Sequence, residues 1–126
     1  MIDHASAGVS DYQKSKEFYT KALAPIGYKL GADMEEYKVC GFGEGEHSDF
    51  WLSIKEPAGG GHTAFAVKSK EEVEAFHKAG LEAGGTDNGA PGYRTEYGPG
   101  YYAAFIHDLD KNNIEVVWHD PNPPQA

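Results

Sequence analysis

Cysteine is all but missing from this chain of 126 residues. The one present, Cys40, excludes an intramolecular disulfide and any zinc cluster built on thiolates. Positive charge is also scarce: 11 lysine and arginine residues face 20 aspartate and glutamate, a formal net charge of −9, and Arg94 is the lone arginine. Without a basic run the chain has no electrostatic grip for nucleic acid or an anionic lipid surface, and the same imbalance favours a cationic ligand. Apolar runs extend only a few residues, far below the roughly 20 needed to span a bilayer. The opening Met-Ile-Asp-His-Ala-Ser lacks the basic region and apolar core of a secretory signal. These absences lead to the expectation of a cytoplasmic protein with no membrane or nucleic-acid partner. Ser-His-Asp and Walker-type spacings are missing too, and Ala58-Gly-Gly-Gly61 leads into a strand pattern, so no nucleotide cofactor is expected.

What is present is a repeat. His4-Ala-Ser-Ala-Gly-Val9 matches His62-Thr-Ala-Phe-Ala-Val67 at an offset of 58, and the same shift lays Phe18 on Phe76, Leu23 on Leu81 and Gly27 on Gly85. Each copy opens on a histidine, runs as a short strand of small and apolar residues, and then takes helical spacing. Helices are expected over about 12–23, capped by Asp11, and about 70–83, capped by Ser69. Strands follow near 28–34, 37–42 and 50–55, and near 86–88, 101–108 and 113–118. Each copy is thus β-α-β-β-β, an α+β pattern. Module 1 covers about 1–55, module 2 about 62–119, and 120–126 is a polar tail; together they are expected to be a single domain. Glu56-Pro-Ala-Gly-Gly-Gly61 reads as a flexible joint, and Gly89–Gly100, with two prolines and four glycines, as a long irregular loop.

Paired β-α-β-β-β modules that each start on histidine resemble the vicinal oxygen chelate superfamily of glyoxalases, bleomycin-resistance proteins and extradiol dioxygenases. The likeness runs from Ile2 to about His119. It rests on His4 with Gly8-Val-Ser-Asp11 and Phe18-Tyr19, on Gly61-His62-Thr-Ala-Phe-Ala66, and on Asp108-Leu-Asp-Lys-Asn-Asn-Ile-Glu115. In the last, Leu109 and Lys111 stand where the family has proline and glycine, and the glutamate stays in register. The resemblance implies a curved mixed β-sheet half-barrel with helices outside, small-molecule binding in its cleft, and a homodimer with modules paired within or between chains.

It also implies a metal site. The opening histidines and the closing hairpins converge in such folds, which selects His4, His62 and Glu115. Aligning Cys40–Ile54 with Ala104–Trp118 sets Trp51 opposite Glu115, where a glyoxalase-like site has a fourth ligand, and neither Trp51 nor Leu52 can bind metal. Two imidazoles and one carboxylate suit a divalent metal such as Fe, Mn, Ni or Zn, with open positions for substrate. The chemistry implied is Lewis-acid stabilisation of an enolate or alkoxide by a lyase, isomerase or dioxygenase acting on a small oxygenated molecule. The general base is not identified. Trp51, Tyr101, Tyr102 and Trp118 would shape the pocket. Arg94, set among tyrosines, could bind a carboxylate or phosphate. The alternative is a drug- or metabolite-binding protein without chemistry, for which the missing fourth ligand and the aromatic content speak. Lactoylglutathione lyase itself fits poorly, because no basic cluster exists to grip glutathione's carboxylates. Asp108–Asn112 imitates the start of an EF-hand loop but lacks its glycine and final glutamate, so it reads as a hairpin turn. His47, His77, His107 and His119 read as solvated surface, and Cys40 as core.

Overall fold

The computed structural model describes residues 1–124; Gln125 and Ala126, the end of the expected tail, lie outside the described residues. The first half runs β1 (Ala5–Val9), α1 (Tyr12–Ala22), β2 (Lys29–Met34), β3 (Val39–Gly43) and β4 (Phe50–Ile54). The second repeats it as β5 (His62–Val67), α2 (Lys70–Glu82), β6 (Thr86–Tyr93), β7 (Tyr101–His107) and β8 (Asn113–His119). The two mixed sheets have matching orders, β1-β4-β3-β2 and β5-β8-β7-β6, and in each the first strand lies parallel to the last. Both sheets are open, and no ladder joins them among the described residues. The modules meet where α1 packs on α2 and where β1 passes β5. No helix among the described residues is long and apolar enough to cross a membrane.

Both helices start where their caps dictate. Asp11 accepts the Lys14 amide at 3.0 Å. Ser69 accepts the Glu72 amide at 3.2 Å and donates its hydroxyl to the Glu72 carboxylate at 3.0 Å. The helices cover one face of each sheet, and the core between holds Tyr19, Phe42, Phe50, Phe65 and Phe76. It is continuous across the modules: the Phe50 and Phe65 rings meet edge to face at 5.2 Å, and Tyr19 lies 5.3 Å from Phe50. Gly80 is required for this packing, because a Cβ there would sit 2.0 Å from the Ile106 side chain.

Two expectations are corrected. Residues 89–93 are not loop but the second part of β6, which reaches Tyr93. Glycine and proline hid it. β6 is an edge strand whose pairing with β7 shifts register twice, and such an edge tolerates Pro91 without losing a central ladder bond. The joint at 56–61 is tied down at its far end. The Gly59 amide donates to the Gly8 carbonyl at 3.1 Å, and the Gly61 amide to the Asn112 side chain at 3.0 Å.

The turn after β7 explains why the joint is held. Asp108 and Asn112 are both buried. Asp108 accepts the Asn112 amide at 2.8 Å, the Asp110 amide at 2.9 Å and the hydroxyl of Tyr19 on α1. Asn112 donates its side-chain amide to the Gly8 carbonyl at 2.9 Å, and Asp110 accepts the Ser10 amide at 3.1 Å. A hairpin turn of module 2 is thereby fastened to β1 and α1 of module 1.

Candidate functional site

Strand pairing sets which side chains share the face away from the helices. In module 1, Ser6 lies opposite Trp51; in module 2, Ala64 lies opposite Glu115. Ser6 and Ala64 are 58 apart, so Trp51 and Glu115 occupy equivalent places in the two sheets. On β7, Phe105 is the residue beside Glu115, and Tyr101 lies beside His119. Alternation along the strands puts Tyr101, Phe105, Glu115 and His62 on one face.

Glu115 is the focus of that face. It is 2% exposed, a rare state for a carboxylate unless its oxygens are satisfied. Here both are. His62 Nε2 lies 2.9 Å from Oε1, and the Tyr101 hydroxyl donates to Oε2. Burial, followed by the bond to Glu115, pushes the Tyr101 phenol up to about 12. The His62 ring remains about half exposed, at 54%. Together with Tyr97 and Phe105 these groups line a cavity of about 360 Å³. Tyr97 packs edge to face on Tyr101 at 5.3 Å, and His119 does so at 5.4 Å.

His4 is elsewhere. It precedes β1 and lines a wider cavity of about 650 Å³ on the sheet of module 1, with Ser6, His47, Trp51 and Ser53. Its Nδ1 lies 2.9 Å from the Asp3 carboxylate, and His47 Nε2 lies 3.3 Å from the Asp3 carbonyl oxygen. The His4 contact, and then the His47 charge, hold the Asp3 carboxyl below its ordinary range. Trp51 donates its indole N–H to the Ser48 carbonyl at 3.0 Å and walls this cavity. A third cavity of about 330 Å³ lies between the two, with Asp3, Tyr28, Asp49 and His62 in its walls. One chain therefore brings His62 and Glu115 together and sets His4 with Trp51. Among the described residues, no three His, Cys, Asp or Glu side chains form a group able to hold a metal.

Tyr102 and Trp118 lie on the opposite face from Tyr101 and Glu115. Tyr102 donates its hydroxyl to Glu74 on α2 at 2.8 Å, and its ring meets Trp118 at 6.3 Å beside the core. Strand alternation is the reason: neighbours in sequence cannot share a face, so Tyr101 and Tyr102 divide between cavity and core. Arg94 follows β6 and lines a cavity of about 290 Å³ that shares Tyr97 and Phe105 with the Glu115 cavity. Tyr97 is one of the tyrosines expected around Arg94; Phe105 escapes notice in the sequence, yet counting two residues at a time through β7 from Tyr101 reaches it.

As to a metal, the imidazole of His62 and the carboxylate of Glu115 are a suitable pair of donors for a borderline divalent ion, and they already meet. His4 is not part of that pair and lines the cavity of module 1 instead.

Residues 1–116 match the model of the Glyoxalase/Bleomycin resistance protein/Dioxygenase superfamily. The chain is 30% identical to protein YqjT of Bacillus subtilis (strain 168), over 92% of its own length and 97% of that protein's. Its fold is similar to the crystal structure of a glyoxalase/bleomycin resistance protein from Albidiferax ferrireducens T118. That likeness has a TM-score of 0.78 and 28% identity, with 94% of this chain and 98% of that one covered. A lactoylglutathione lyase from Agrobacterium tumefaciens shares the fold at TM-score 0.69 and 16% identity, over 94% and 92% of the two chains.

Proposed function

Because the chain belongs to the Glyoxalase/Bleomycin resistance protein/Dioxygenase superfamily, we propose that it is an enzyme acting on a small oxygenated organic molecule bound against His62 and Glu115. The observation that carries this is the buried Glu115 carboxylate, held by His62 on one oxygen and Tyr101 on the other in a cavity walled by aromatic rings. His62 and Glu115 of one copy, with His4 of a second, would hold a divalent ion (Fe, Mn, Ni or Zn) in a homodimer. Such an ion supplies Lewis acidity for a lyase, isomerase or dioxygenase reaction. The chain's own contribution is positional. Tyr101 fixes the Glu115 carboxylate, Tyr97 and Phe105 wall its cavity, and Trp51 closes the opposing face. Arg94 receives the negative end of the substrate.

Titration of chelator-treated protein with Zn(II), Mn(II) and Ni(II), alongside sedimentation, tests this. One tightly held ion per chain is expected, lost in His62→Ala and in His4→Ala. A wild-type protein that holds no stoichiometric ion overturns the metal reading. The second reading, sequestration of a small molecule without chemistry, is favoured by Trp51 standing where Glu115 stands in the other module. It takes over on that result.

A further inference from the structure

Arg94 is the lone arginine of an acidic chain and lies half-buried at the end of β6. Its guanidinium is fixed by the chain around it. Nη1 donates to the Gly92 carbonyl at 2.8 Å and Nη2 to the Ala90 carbonyl at 2.7 Å, and the group sits over the Phe105 ring at 5.3 Å. Glycine makes this possible at two places: a Cβ on Gly89 would lie 3.1 Å from Nη2, and one on Gly92 3.1 Å from Nη1. Two of the five guanidinium N–H groups are used and three remain. Among the described residues no carboxylate forms an ion pair with Arg94. The nearby Asp87 is engaged elsewhere, by His77 Nε2 at 3.0 Å and the Gly89 amide at 2.9 Å. A fixed, half-buried cation with spare donors and no direct ion pair therefore faces a cavity of about 290 Å³, whose walls include Asn88, Asn113 and one acid, Glu96, while Asp87 lies close enough to feel its charge. Phe105 and Tyr97 are common to this cavity and to that of Glu115, so the cation and the buried carboxylate flank one aromatic wall.

Resting on the reading that a small molecule binds against His62 and Glu115, we infer that the substrate is a planar monocarboxylate. Its carboxylate pairs with Arg94, and its unsaturated body lies along Phe105 and Tyr97 toward Glu115. Glu96 sets the charge limit. One guanidinium beside one carboxylate leaves too little positive charge for a phosphate dianion or a dicarboxylate, whereas a single carboxylate can take the bidentate geometry that guanidinium offers. Glu96 is thus a specificity residue as well as a wall.

The test uses benzoate, benzamide and isophthalate as probes on full-length, chelator-treated protein, with amide chemical shifts followed by NMR. Benzoate is expected to bind about tenfold or more tightly than benzamide, the worth of a charge-assisted hydrogen bond, with shifts centred on Gly89, Gly92 and Phe105. Arg94→Gln should abolish that preference and Arg94→Lys should restore part of it. Glu96→Gln should raise isophthalate affinity several-fold and benzoate affinity by a smaller factor. Equal binding of benzoate and benzamide to the wild type overturns the inference, as does a preference that survives Arg94→Gln or shifts centred on the Trp51 cavity. If Arg94→Gln loosens β6, the isophthalate gain in Glu96→Gln decides alone, and its absence overturns the inference. Metal titration of the same samples keeps the two proposals apart. Loss of ion binding with benzoate preference intact strikes only the metal reading, and the reverse strikes only this one.

Discussion

The two modules share strand order and a capped helix, yet their faces away from the helices differ. Module 1 presents Trp51 with His4 and His47 around a wide opening; module 2 presents a buried Glu115 gripped by His62 and Tyr101 in a narrower one. Their turns differ in the same sense. Tyr28 and Asp49 bond to each other at 2.9 Å within module 1, whereas Asp108 and Asn112 of module 2 reach across to Tyr19 and Gly8. The lesson is that the repeat preserves the side of the sheet that packs on helices. That side must satisfy the same apolar contacts in both copies, and the other side is free to diverge toward chemistry.

Several substitutions would break or sharpen this contrast. The largest effect belongs to Glu115→Leu, which makes module 2 as donor-poor as module 1. On the proposed metal reading, divalent-ion affinity should fall by about a hundredfold or more by titration calorimetry, since the carboxylate lost would be a ligand and not merely its support. The Tyr101 hydroxyl left without a partner adds about 1–3 kcal/mol of instability. Next comes Asp108→Ala, which removes the acceptor for Tyr19 and for two turn amides. A loss of about 2–4 kcal/mol in urea unfolding is expected for a buried network of this kind. Loss of that size should leave the secondary structure intact in the native baseline. Trp51→Glu runs the comparison the other way by giving module 1 the carboxylate of module 2. Ion affinity should rise by about tenfold, and an unchanged affinity would show that Trp51 does not face the ion.

The smallest expected effect is on pH dependence. Burial, and then the bond to Glu74, push the Tyr102 phenol up to about 12. A phenol whose pKa is higher folded than unfolded holds its proton better in the native state. Its contribution is therefore complete below about pH 10 and declines as the pH rises from there toward 12. In Tyr102→Phe the fall in stability between those values should be shallower by denaturant titration.

Much of the architecture was legible in advance because it repeats. A histidine-led strand, a capped helix and three strands recur at one offset, and Asp11 and Ser69 cap as their residue types require. Strand β6 was hidden because its pairing tolerates Pro91 and two glycines only at an edge, and edge position is a property of the sheet. The equivalence of Trp51 and Glu115 followed from aligning the hairpins, whereas the pairing of His62 with Glu115 was only what the family resemblance implied. The division of Tyr101 from Tyr102 was available from alternation alone, yet aromatic clustering suggested one pocket. The separation of His4 from His62 was not available, since a repeat shows that two positions are equivalent and is silent on how the modules are set against each other.

The fastening of the Asp108–Asn112 turn to β1, together with the bond from Gly59 to Gly8, also constrains how copies of this chain can meet. Trading a module between copies would require breaking these contacts first, and such exchange proceeds at the pace of unfolding. Two copies would instead approach as finished bodies, each with its halves already married. Their association should then follow ordinary second-order kinetics, complete within the mixing time at high concentration and reversed by simple dilution.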